Sequence, residues 1–126
     1  MPRCLIVDDD LDSREGYSEY LRANGYVVDT LEDAREALGS IRQHRPDVVL
    51  LDLQMPHLDG WELLRQVRAD PAIADVPVVV VSACVFPDDR ARAAEAGCNM
   101  FLTKPCLPDE VLSSVQSVLA MSNLRK

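Results

Sequence analysis

This sequence of 126 residues has few aromatic residues, a deficit of basic charge and no long apolar run, and each shortage removes a class of protein. Aromatic residues make up 5% of a chain that is 48% hydrophobic. The apolar content is therefore mostly Val, Leu and Ala, which suits a sheet covered by aliphatic helices and excludes a disordered or fibrous chain. Lys and Arg number 13 against 21 acids, for a formal net charge of −8. A polyanionic partner needs a clustered basic face, so no direct nucleic acid binding is expected. No apolar run approaches the roughly 20 residues that span a bilayer, and the N-terminus carries no basic and apolar targeting segment. A cytoplasmic location without membrane contact is expected. The cysteines, Cys4, Cys84, Cys98 and Cys106, form no C-x-x-C pair and read as small hydrophobes in a reducing compartment. With no internal repeat or linker, and no room for a second core, residues 1–126 are expected to form one domain.

Five short apolar runs alternate with five segments of helical period. The runs are Cys4-Leu5-Ile6-Val7, Tyr26-Val27-Val28, Val48-Val49-Leu50-Leu51, Val78-Val79-Val80-Val81 and Cys98 to Leu102. Continuous aliphatic runs mark central strands of a parallel sheet covered on both faces, and the shorter second run reads as an edge. The first helix is expected over about residues 12 to 24, with Asp10 or Asp12 as its cap and a thin stripe through Tyr17, Tyr20 and Leu21. The second carries Leu31, Ala34, Leu38 and Ile41 after Thr30-x-x-Asp33, a capping pattern. Asp59-Gly60 opens the third, which packs through Trp61, Leu64 and Val67, and Pro87-Asp88-Asp89 opens the fourth. Val111, Leu112, Val115, Val118 and Leu119 stripe the fifth behind Pro108-Asp109-Glu110. A βαβαβαβαβα order implies an α/β fold with a parallel sheet, and the expected form is a doubly wound (βα)5 flavodoxin-like three-layer sandwich with its sheet in the order 2-1-3-4-5.

The polar residues gather at the carboxyl ends of these runs. Run one ends in Asp8-Asp9-Asp10, run three in Asp52, run four in Ser82, and run five in Thr103-Lys104-Pro105. Any one of them alone is an ordinary turn or cap residue. In an open parallel sheet, however, all these ends lie on one edge, and ligands bind where strand order reverses, between strands one and three. Asp8, Asp9 and Asp52 are expected to meet there. Two unit charges about 4 Å apart repel by roughly 4 kcal/mol at an effective dielectric of 20, so three carboxylates in contact cost on the order of 12 kcal/mol before relaxation. That rivals the whole stability of a small domain. A divalent cation and a nearby Lys104 are the natural relief, and a few carboxylates plus water is how Mg²⁺ is usually held.

Together, Asp8-Asp9, Asp52-Leu53-Gln54-Met55-Pro56-His57-Leu58-Asp59-Gly60, Ser82-Ala83 and Lys104-Pro105 resemble the receiver domains of two-component response regulators, over about residues 3 to 121. The resemblance implies that Asp52 accepts a phosphoryl group from a sensor histidine kinase or a histidine phosphotransfer domain. It implies a Mg²⁺ ion, for which Mn²⁺ substitutes, on Asp9, Asp8, Asp52 and the Gln54 backbone carbonyl. Ser82 and Lys104 hold phosphoryl oxygens, and the Lys104-Pro105 peptide is cis. Phe101 stands at the switch-aromatic position, three residues before the lysine, and its burial on switching stabilises by about 1.5–3 kcal/mol if it starts exposed. Downstream targets bind through the fourth helix, fifth strand and fifth helix. Gln54 and Cys84, two positions after the acceptor and the hydroxyl, tune phosphoryl lifetime. Such a domain catalyses only its own phosphorylation and dephosphorylation. It exists either by itself or as part of a larger regulator.

Three other readings fit less well. A haloacid-dehalogenase-like phosphatase places its nucleophile after the first strand in a D-x-D-x-T motif, and Asp8-Asp9-Asp10-Leu11 lacks the threonine. A receiver-like interaction module without phosphorylation has no physical need for mutually repelling acids. A flavin-binding protein of this fold needs a Ser/Thr/Gly-rich phosphate loop after the first strand. His44 and His57 have no base or ligand partner at a recognisable spacing and read as surface residues.

Overall fold

The computed structural model describes residues 1–53, 60–83 and 88–124. Five strands alternate with helices: β1 Arg3–Val7, α1 Leu11–Ala23, β2 Val27–Leu31, a 3₁₀ turn Ala34–Glu36, α2 Ala37–His44, β3 Val48–Leu51, α3 Gly60–Ala69, β4 Val78–Ser82, α4 Asp89–Ala96, β5 Met100–Thr103 and α5 Pro108–Leu124. All pairings are parallel, and the sheet order is β2-β1-β3-β4-β5, the order expected of the flavodoxin-like form.

Strand side chains alternate between two apolar layers because successive Cβ atoms leave opposite faces of the sheet. Leu5, Val7, Val49, Leu51, Val78 and Val80 pack against Ile41 of α2, Leu64 and Val67 of α3 and Ala93 of α4. Cys4, Ile6, Val48, Leu50, Val79 and Val81 pack against Leu21 of α1 and Val111, Val115 and Val118 of α5. All of β3 and β4 is buried, whereas β2 and β5 are edges with partly exposed residues.

Four local expectations are corrected. Leu31 and Thr30 belong to β2, not to a helix: Leu31 pairs with Val7, and its carbonyl accepts the Asp8 N–H at 3.0 Å, so strand pairing overrides the helical period. Asp33 caps the short 3₁₀ turn by accepting the Arg35 N–H, and α2 starts only at Ala37. In α1 the buried stripe is Tyr17, Ser18 and Leu21, while Tyr20 is exposed; the Ser18 hydroxyl is accommodated by donating to the Glu15 carbonyl. Cys98 precedes β5 and closes α4 instead, its N–H donating to the Ala93 carbonyl. The αL residue before it is Gly97, with φ of 107°, a conformation costly for any side chain. Asp10 is the N-cap of α1, accepting from the Ser13 N–H.

Gly60 has a stricter reason to be glycine than helix initiation. A Cβ there would lie 2.5 Å from the Leu53 Cα and 2.8 Å from the Asp52 carbonyl oxygen. The first turn of α3 rests directly on the backbone that carries Asp52, and its own N–H donates to the Leu53 carbonyl. Gly60→Ala is therefore expected to destabilise the domain by about 1–3 kcal/mol, the range for overpacking a close contact, read as a lower urea midpoint with unchanged slope. An unchanged midpoint would mean that α3 is not seated on this backbone.

Candidate functional site at the carboxyl edge of the sheet

Strand register brings the polar groups together. Val7 pairs with Leu51, so Asp8 and Asp52 follow matched positions on neighbouring strands. Parallel strands lie about 4.8 Å apart. Across the next pairs Leu51 meets Val80 and Ser82 meets Thr103, which places Ser82 beside Asp52 and Lys104 just past the end of β5. The Lys104 N–H donates to the Ser82 carbonyl at 3.0 Å, and the Lys104-Pro105 peptide is cis.

The side chains converge accordingly. Lys104 Nζ lies 2.8 Å from Asp8 Oδ2 and 3.3 Å from Asp52 Oδ2, and Ser82 Oγ donates to Asp52 Oδ1 at 3.0 Å. Asp8, Asp52 and Ser82 are 3%, 7% and 1% exposed, while Asp9 is open to solvent. One carboxylate oxygen from each of Asp8, Asp9 and Asp52 lies within 4.8 Å of the others. Burial raises the Asp8 carboxyl above its ordinary value, against the hydrogen bonds it accepts from Lys104 Nζ and the Asp10 N–H. Burial alone would lower the Lys104 ammonium, but the hydrogen bond and charge of Asp8, with the charge of Asp52, outweigh it and hold the group above its usual range. One lysine thus faces three acids. Among the described residues the cluster offers three carboxylates, Asp9 being solvent-facing, a set of hard oxygen donors that fits Mg²⁺.

Gln54, His57 and Cys84 lie outside the described residues. Phe101 is already half-buried against the core, and the Arg90 guanidinium sits 5.4 Å from its ring centroid while donating to Thr103 Oγ1 at 3.1 Å. Trp61 is likewise half-buried, beneath Arg92 at 4.4 Å, and Leu63 joins Leu64 and Val67 in the core. His44 is exposed. Two contributors had no sequence signal that could single them out. Arg14, on the first helical turn, donates to the Asp8 carbonyl at 2.8 Å, and Arg90 lies in a helix of weak periodicity. A cavity of about 770 Å³ opens at the opposite edge of the sheet, lined in part by Arg68, Gly97 and Met121. It is not the chemical centre: Arg68 spends its donors on the Gly97, Ala74 and Val76 carbonyls and Asn99 Oδ1.

Residues 4–116 match the response regulator receiver domain, and the chain belongs to that family, whose members are the phosphoacceptors of two-component signalling. Over 117 residues it is 40% identical to the response regulator MprA of Mycolicibacterium vanbaalenii, covering 93% of this chain and 50% of that protein. Over 118 residues it is 42% identical to the transcriptional regulatory protein PrrA of Mycobacterium tuberculosis, covering 94% and 50%. The chain thus spans about half the length of these curated relatives. Among solved structures, the chemotaxis response regulator CheY4 of Vibrio cholerae superposes with a TM-score of 0.87 at 31% identity, over 94% of this chain and 98% of that one. No helix among the described residues is long and apolar enough to cross a membrane.

The crowding of acids carries a stability cost that a single substitution reveals. With its folded-state pKa raised, Asp8 favours the native state when protonated and opposes it when ionised. In metal-free buffer at pH 7, Asp8→Asn is expected to unfold at higher urea than the parent. The gain should shrink as pH falls through the ordinary carboxylate range, where Asp8 is protonated folded and unfolded alike. A lower midpoint at pH 7 would show that the Lys104 hydrogen bond outweighs burial and repulsion.

Proposed function

We propose that residues 1–126 form one receiver unit in which Asp52 takes a phosphoryl group from the phosphohistidine of a sensor kinase or phosphotransfer protein. The observation that carries this reading is Asp52 itself: a nearly buried carboxylate with one oxygen held by Ser82 and the other by Lys104, at the rim of the acid cluster. These two contacts orient the carboxylate for in-line attack. A bond forms between an Asp52 Oδ and phosphorus, the bond from phosphorus to the donor nitrogen breaks, and its electron pair returns to the imidazole. Ser82 Oγ and Lys104 Nζ then turn from the carboxylate to the phosphoryl oxygens. Asp8, Asp9 and Asp52, with the Gln54 carbonyl, would hold Mg²⁺, which supplies positive charge for the phosphoryl oxygens and offsets the repulsion among the acids; Mn²⁺ would serve similarly. Attack of water on the acyl phosphate regenerates Asp52. The domain thus catalyses only its own modification and reset, and it acts in the cytoplasm.

Output is proposed to run from Ser82 to Phe101 and the surface of α4, β5 and α5. Phosphorylation replaces one negative charge with nearly two and adds acceptor oxygens within reach of Ser82. Because Phe101 starts half-buried, completing its burial stabilises by only about half of the 1.5–3 kcal/mol for a full transfer. That is comparable to the roughly 0.5–1 kcal/mol of an exposed cation–π contact such as the one Arg90 makes. The ring is therefore balanced between two positions, and the new charge at Asp52 decides between them.

Incubation with acetyl phosphate and Mg²⁺ is expected to add one phosphoryl group to the intact mass. Asp52→Asn and, in the unmodified chain, chelation should each abolish the gain. A full gain in the Asn variant would move the acceptor elsewhere, and turnover of small phosphate esters would favour a phosphatase.

A further inference from the structure

We propose that Arg14 is a positioning residue for the cation site: it fixes the Asp8-Asp9 peptide so that the Asp9 carboxylate is aimed at the cation before the cation arrives. This rests on the Mg²⁺ reading of the Asp8, Asp9 and Asp52 cluster. Arg14 Nη1 donates to the Asp8 carbonyl oxygen at 2.8 Å, and Nη2 lies 3.7 Å from Glu32 on the far side of the loop. The side chain is 13% exposed against 76% for Glu32, so Arg14 is built into the fold and the acid is a loose surface partner. The carbonyl it grips belongs to the peptide joining Asp8 to Asp9. Holding that oxygen restrains the peptide plane, and so places the Asp9 Cα and the N–Cα axis about which its side chain turns.

The rest of the loop is held from other sides. The Asp8 N–H donates to the Leu31 carbonyl, Asp8 Oδ1 accepts from the Asp10 N–H, and Asp8 Oδ2 accepts from Lys104. Every one of these bonds constrains Asp8 or Asp10. The solvent-facing Asp9 is constrained through its preceding peptide, and among the described residues Arg14 is the side chain that grips it. A guanidinium ordinarily makes its short, strong hydrogen bonds to a carboxylate. Here its short bond goes to a main-chain oxygen, so its effect on the site is chiefly geometric.

Geometry and charge predict opposite signs, which makes the proposal testable. Removing a partner that orients a metal ligand typically costs 10- to 100-fold in metal affinity. Removing a positive charge from the loop that carries the acids, without disturbing them, strengthens Mg²⁺ binding by about two- to fivefold at solvent-screened distances. Mg²⁺ affinity is measured by titration of the backbone amide shifts of Asp9 and Asp10 in the parent, Arg14→Met and Arg14→Lys, each checked for a cooperative unfolding transition. Arg14→Met should bind Mg²⁺ about tenfold or more weakly, and Arg14→Lys, which keeps the charge and one donor, should fall between it and the parent. If Arg14→Met unfolds, the Lys variant decides alone: weaker binding supports positioning, and parent-like binding overturns it. Equal or tighter binding in Arg14→Met also overturns it. Absence of Mg²⁺ binding in the parent would overturn the cation site itself, an outcome distinct from failure of the Arg14 proposal.

Discussion

Three carboxylates held at the ends of adjacent strands repel one another, and the surrounding structure is arranged around that repulsion. Asp8 and Asp52 cannot separate, because Val7 and Leu51 are locked in register within a fully buried part of the sheet. The sheet is covered on both faces by apolar layers, and sliding a strand by one residue would send every side chain to the layer it does not fit. Packing thus forces like charges together against their electrostatic preference. Stability is lowered locally so that charge can be handled there, a common arrangement at functional sites.

What relieves the repulsion also defines the chemistry. Lys104 supplies one positive charge between Asp8 and Asp52, and the hydroxyl of Ser82 supplies a neutral donor to the other oxygen of Asp52. Among the described residues, Lys104 is the cation in direct contact with the cluster, which leaves three acids short of positive charge. In the proposed function a hard divalent ion fills that deficit, and a phosphoryl group brings new oxygens to the same donors. Contacts further out steady the arrangement. Gly60 seats α3 against the Asp52 backbone, Asp10 caps α1 beside Asp8, and the Tyr17 hydroxyl donates to the Cys106 carbonyl to hold the turn after Pro105.

Strand order and the meeting of Asp8, Asp52, Ser82 and Lys104 were legible in the sequence because parallel strands leave continuous aliphatic runs and because all their carboxyl ends fall on one edge. The start of α2 was not. Leu31 satisfies a helical period and a strand pairing equally well, and only the partner strand decides between them. Nor was the face of α1: Ser18 is buried beside Tyr17 and Leu21 because its hydroxyl bonds back to the Glu15 carbonyl, while Tyr20 turns outward. Gly60 was read as a helix opener, whereas its close approach to Leu53 is a tertiary fact. Arg14 and Arg90 reach main-chain or ring partners outside their own helices, and such contacts leave no periodic trace.

The central claim is that repulsion among Asp8, Asp9 and Asp52 is the cost the fold carries for binding a divalent cation. Urea unfolding at pH 7 with and without Mg²⁺ tests it most directly, since an ion that binds only the native state stabilises by about 2.7 kcal/mol at a hundredfold excess over its Kd. The account predicts a midpoint that rises with Mg²⁺ in the parent and hardly moves in Asp9→Asn. A parent midpoint indifferent to Mg²⁺, or an equal rise in both proteins, would contradict it.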